Sequence, residues 1–250
     1  SFRRGCAFAL IAIGSAFTSG CAANDISVTI DRFVEATGMA GNCGADPTVT
    51  TSLSGGVFDA EVSSYNGNPG YVASFVLTNN LFVRIDEAMS VDTQSFAIDA
   101  YDVELEVTGP ATTVIPVSER RFSVSASSVL LRPTTSQGAS VSLFSPKVVA
   151  GLIGLGTNLD AAGGSSVTAK IRAHVKRAEE QHVTAYSSIP VDICFGCLLQ
   201  ANASTQCADV SDAAITSGNV CNPAQDKAIT CCMAGSNEFC GANIPTKAGP

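Results

Sequence analysis

Apolar and polar residues alternate with a period of two through much of the chain, the pattern of strands with one face buried and the other wet. The clearest run covers residues 96–107, where Val103, Leu105 and Val107 alternate with Asp102, Glu104 and Glu106. Residues 167–175 repeat it, with Val167, Ala169, Ile171, Ala173 and Val175 facing in and Thr168, Lys170, Arg172 and His174 facing out. Further strands are predicted at 26–34, 57–62, 81–85, 113–115, 121–124, 129–132 and 141–144. Another spans 183–193, with an edge or bulge at Pro190, which has no N–H to pair. Residues 71–77 are more continuously apolar, as expected for a strand near the middle of a sandwich, and follow a turn cluster around Asn66-Gly67. Only one helix start stands out: Ser145 as N-cap and Pro146 at the first helical position, running through Val149 and Leu152 to a stop at Gly156.

The number and spacing of these strands predict an all-β fold, an immunoglobulin-like two-sheet sandwich with one short helix and a disulfide-rich C-terminal module, with a barrel as the alternative. Charged residues make up 14% of the 250 residues, against about 25% in an average soluble domain. Once Arg3 and Arg4 are set aside, 22 acidic residues face 12 basic ones, a balance that argues against a nucleic-acid partner.

Arg3 and Arg4 precede an apolar run over residues 6–17, long enough for a secretory h-region and too short to span a bilayer. The run ends Phe17-Thr18-Ser19-Gly20-Cys21. Ser19, Gly20 and Cys21 resemble the lipobox of bacterial lipoproteins, which implies cleavage before Cys21 and lipidation of its sulfur. Ala22 and Ala23 follow with no Asp beside the Cys, which in that family implies transfer to the outer membrane. Thr18 stands where the family has Leu, Val or Ile, so cleavage near Ala23 by an ordinary signal peptidase, giving a periplasmic or secreted protein, is the alternative.

At Cys194 the composition changes, and seven of the ten cysteines fall in residues 194–250 among short polar loops without a strand pattern. The chain therefore divides into a signal peptide (1–20), a sandwich domain (21–193) and a cysteine-rich module (194–250). With Cys6 and Cys21 removed from the count, Cys43, Cys194, Cys197, Cys207, Cys221, Cys231, Cys232 and Cys240 remain. Even parity in an exported chain favours disulfides, and Cys43 then pairs with a cysteine of the tail. Residues 38–51, around Pro47, read as a spacer or an ordinary long loop.

Cys194-Phe195-Gly196-Cys197 has the spacing of a redox pair, but no βαβ unit surrounds it, and Leu198 stands where haem attachment needs His. A zinc ribbon needs a second C-x-x-C, which Cys231-Cys232 does not supply. Structural disulfides are the expected reading; thiol redox or metal binding through Cys194 and Cys197 is the alternative. Asp102, Glu104 and Glu106 lie in line about 7 Å apart, a poor calcium cage. Opposite charge predicts that they neighbour Lys170, Arg172 and Lys176 on an adjacent strand. His174 and His182 are the only histidines, and neither sits in a recognisable catalytic motif. No catalytic residue, metal or cofactor is expected. The expected function is a lipid-anchored, extracytoplasmic binding or structural module, partnered by the membrane through its lipid and by an envelope component.

Overall fold

The computed structural model describes residues 27–39, 42–67, 69–82, 94–200, 216–234 and 237–240. In chain order its elements are β1 (Val28–Val34), β2 (Ala36–Met39), β3 (Asn42–Ala45), β4 (Gly56–Asp59), α1 (Ala60–Tyr65), β5 (Val72–Asn79), β6 (Phe96–Thr108) and β7 (Arg121–Leu131). There follow β8 (Ser136–Ser142), α2 (Pro146–Leu155), β9 (Ser165–Arg177), β10 (Glu180–Val183), β11 (Ser187–Cys194), β12 (Cys231–Ala234) and β13 (Asn237–Cys240). The fold is mostly β.

A six-stranded sheet runs β4-β11-β9-β6-β7, with β10 paired to β9, and a three-stranded sheet runs β1-β5-β8. β4 joins β11 in parallel, whereas the other strand ladders are antiparallel. Burial along β9 alternates at every position up to Val175, and Val103, Leu105, Val167, Ala169, Ile171 and Ala173 enter one apolar cluster with Phe33, Phe75 and Leu77 of the smaller sheet. Phe75 of β5 meets Tyr101 of β6 edge-on, with ring centroids 5.2 Å apart, tying the two sheets together.

β5 lies in the middle of its sheet and is buried on both faces from Ala73 to Leu77, which explains its unbroken apolar run. The second cover comes from β2 and β3, at the start of the stretch read as a spacer or long loop. β2 and β3 make a hairpin that packs against β5 and β8. The approach is so close that a Cβ on Gly138 would stand 1.8 Å from the Ala45 carbonyl oxygen.

Several strand boundaries move. Residues 57–62 are not one strand: β4 ends at Asp59, whose carboxylate accepts from Glu61 N at 2.9 Å and Val62 N at 3.2 Å and so starts α1. The fold therefore has a second short helix beside α2, and Phe58, Ala60 and Val62 stay buried through the change of conformation. Residues 113–115 form no strand, because Gly109-Pro110 opens a 3-10 turn that runs to Thr113. Residues 121–124 and 129–132 belong to the single strand β7, apart from Arg132. Leu81 and Phe82 are not in a strand, and 83–85 lie outside the described residues. α2 begins and ends as its sequence predicts, capped by the Ser145 hydroxyl on Val148 N and by Gly156. Pro190 lies where β11 has β9 on one side, and the pairing with β4 begins one residue later at Val191.

The tail also departs from the loop pattern read in its sequence. Cys231 and Cys240 face each other across the β12–β13 hairpin, joined by a disulfide. Residues 224–226 lie along β4: Asp59 N donates to Ala224 O at 2.9 Å, and Asp226 N donates to Val57 O at 3.0 Å. Cys43 is bridged to Cys221 across 178 residues. Cys194 is bridged to Cys197, and Cys232 is also disulfide-bonded. These cross-links point to an oxidising, extracytoplasmic location. Among the described residues no helix is long and apolar enough to cross a membrane.

Candidate functional site

Among the described residues, two clusters combine chemically capable side chains: the outward face of the six-stranded sheet, and the turn around Cys194 and Cys197. On the first, register alone brings the charges together. Asp102 of β6 lies opposite Ser123 of β7 and Arg172 of β9, and Glu104 lies opposite Arg121 and Lys170. Tyr186, just before β11, extends the first row, with the Arg172 guanidinium 4.8 Å from its ring centroid. Asp102, Glu104, Arg121, Ser123, Arg172 and Tyr186 line a depression of about 390 Å3.

Arg172 donates through Nε at 3.0 Å and Nη2 at 2.9 Å to one oxygen of Asp102, and His174 Nε2 lies 2.7 Å from the same oxygen. Ser123 donates to the other. These hydrogen bonds, led by Ser123 and then His174, hold the Asp102 carboxyl down at about 2. Arg121 pairs with Glu104, and Lys170 pairs with Glu106. The expected neighbourhood of the acidic row with Lys170 and Arg172 is present. Lys176 lies opposite Ala97, and Glu179 is its acidic neighbour at 3.9 Å.

Ser123, Asp102 and His174 are the three residue types of a nucleophilic triad, but their order is wrong for one. A triad runs from hydroxyl to imidazole to carboxylate. Here hydroxyl and imidazole both bond the carboxylate, so the ring takes no proton from the serine. His182 lies near the edge of the Phe96 ring, and its Nε2 is 3.5 Å from Glu180.

At the second cluster, Cys194 is buried and Cys197 exposed. The fully buried Asp59 places a carboxylate oxygen within 4.8 Å of both sulfurs. Its four hydrogen bonds are already committed. One oxygen accepts from Glu61 N, Val62 N and Gly196 N, and the other accepts from Leu198 N at 2.8 Å. Asp59 thus caps α1 and fixes the cysteine turn, where Gly196 has a φ of +80°. A metal held by Asp59, Cys194 and Cys197 would need the bridge reduced and these N–H groups displaced. The Cys194 sulfur lies 3.6 Å from the Phe58 carbonyl oxygen and beside Asp59.

A polar latch seats the tail. The Gln225 amide donates to Val72 O at 3.2 Å and accepts from Val72 N at 2.9 Å, imitating a strand partner. Asn222 donates to Gly70 O at 2.7 Å. Asp226 accepts from Val57 N at 2.9 Å and from the Tyr71 hydroxyl at 3.2 Å, with burial raising its carboxyl above the ordinary value.

Cys21 and Cys207 lie outside the described residues. Sequence reasoning passed over Ser123, Arg121 and Tyr186 on the sheet face and Asp59 beside the cysteines. For Arg121 and Ser123, spacing of two on a strand beside the acidic row was the available signal. Asp59 had none, because it meets Gly196 across 137 residues. No protein-family model, curated protein or solved structure matches the chain.

Proposed function

We propose that the chain is an exported module, lipid-anchored at Cys21 to the bacterial outer membrane or cell surface, that presents the open face of its large sheet for binding or structural contact and carries no catalytic site. The observation that carries this reading is the stapling of the tail to the first strands by Cys43–Cys221, together with Cys194–Cys197 and Cys231–Cys240. Such density of bridges belongs to proteins that work outside the reducing cytoplasm. The leader ending in Ser19-Gly20-Cys21 supplies the anchor. The two-sheet, immunoglobulin-like sandwich is part of this reading. Its support is the apolar cluster shared by both sheets, and the parallel β4–β11 pair is its departure from an all-antiparallel version.

The test is membrane partition. The native chain is expected in the membrane fraction and Cys21→Ser in the soluble one; a Cys21→Ser variant that still sediments with membranes overturns the anchor. Thiol redox or metal binding at Cys194 and Cys197 is a second reading, favoured by the exposure of Cys197 and the nearby Asp59 carboxylate. The four N–H groups already held by Asp59 and the Cys194–Cys197 bridge count against it.

A further inference from the structure

The geometry points to the depression between Tyr186, Arg172, Asp102, Glu104, Arg121 and Ser123 as a binding site for a neutral saccharide. This inference rests on the reading of the chain as an envelope display module and adds the class of ligand.

Charge complementarity inside the site selects that class. Asp102 is paired with Arg172 and Glu104 with Arg121, so the rim is rich in charge but locally balanced. An anion approaching Arg121 or Arg172 meets the carboxylate of Glu104 or Asp102 beside it, and a cation approaching either carboxylate meets a guanidinium, so neither sign is favoured. An uncharged hydroxyl meets no such repulsion: it can accept from a guanidinium N–H and donate to a neighbouring carboxylate oxygen at once. Adjacent ring hydroxyls of a sugar present such donor-acceptor pairs at close spacing.

The lining is mainly polar, as a polyhydroxylated ligand requires, and one aromatic residue stands in it: Tyr186 is 42% exposed, with the Arg172 guanidinium over its ring. Mutual pairing holds the long side chains in place before a ligand arrives, which lowers the ordering cost of binding. The Arg121 side chain is 77% exposed, so it is within reach of a ligand, and its pair with Glu104 contributes little to folding. The depression is open, which suits a chain-like glycan that lies across a sheet.

The experiment is calorimetric titration of the full exported chain with soluble neutral oligosaccharides (cellohexaose, laminarihexaose, maltohexaose, mannohexaose and chitohexaose) and with a sulfated heparin hexasaccharide. Binding of at least one neutral probe is expected, with a Kd of about 10 μM to 1 mM. Tyr186→Ala is expected to weaken it at least tenfold and Glu104→Gln severalfold, while Thr113→Ala, on the remote 3-10 turn, leaves it unchanged. Thermal unfolding of each variant shows whether it folds, and the exposed Arg121→Ala serves if Tyr186→Ala does not. Absence of binding by every neutral probe at millimolar concentration overturns the inference, as does preference for the sulfated probe or full affinity in folded Tyr186→Ala and Arg121→Ala. None of these outcomes touches the anchor, which membrane partition reads separately.

Discussion

Asp59 shows how much one buried carboxylate can organise. Its two oxygens take four backbone N–H groups from two stretches of chain, and Glu61, Val62, Gly196 and Leu198 all depend on it. Asp59→Ala leaves those donors without their partner and is expected to cost about 3 kcal/mol or more. Asp59→Asn, which keeps one acceptor oxygen but turns an amide N–H toward a donor, should fall between the two. Urea denaturation of the intact-disulfide protein measures both, and a loss below about 1 kcal/mol for the alanine variant contradicts this role. The local pattern of the chain conceals all of it. Phe58, Ala60 and Val62 keep the same burial whether the segment is strand or helix, and the deciding interaction is the side chain of the residue between them.

Among elements, β6 and β9 were the most legible. Long period-two runs with opposite charge on their wet faces encode both conformation and adjacency, and Asp102–Arg172 and Glu104–Lys170 are direct register partners. The Asp102 carboxylate, held by Ser123, His174 and Arg172, carries a pH dependence. The folded Asp102 carboxyl sits at about 2, below its ordinary 3.8, so its contribution is complete above pH 4 and is lost as pH falls from about 4 to about 2. The contribution is about 1 kcal/mol after allowance for solvent at the partially exposed Arg172 and His174. Melting temperature against pH should therefore fall less steeply between pH 4 and 2 in Asp102→Asn than in the parent. Parallel acid limbs would show that the carboxylate does not stabilise the fold. Less legible were the β2–β3 hairpin and the parallel contact of β4 with β11. The hairpin is short and rich in glycine, and the parallel contact joins strands far apart in the chain, so neither leaves a local period to read.

At the scale of the whole molecule, residues 221–226 of the tail are bonded to elements of both sheets. Residues 224–226 run beside β4, Gln225 and Asn222 bond the start of β5 and the turn before it, and Cys221 is joined to Cys43 beside them. Parity of the cysteines is a property of the whole sequence and reads more easily than any one pairing. The partner of Cys43 had to await the folded chain, because the spacing of the tail cysteines alone leaves every choice open. The bridge also turns the stretch from Cys43 to Cys221 into a closed ring of covalent bonds. A single protease nick within that ring opens it without freeing either fragment: the protein should migrate as one species on a non-reducing gel and as two after reduction, whereas separation before reduction would deny the ring. Under the proposed lipid anchor at Cys21, the same nick would leave both fragments on the membrane, so a first cleavage within the ring would shed nothing, and release would wait for a second cut or a reductant.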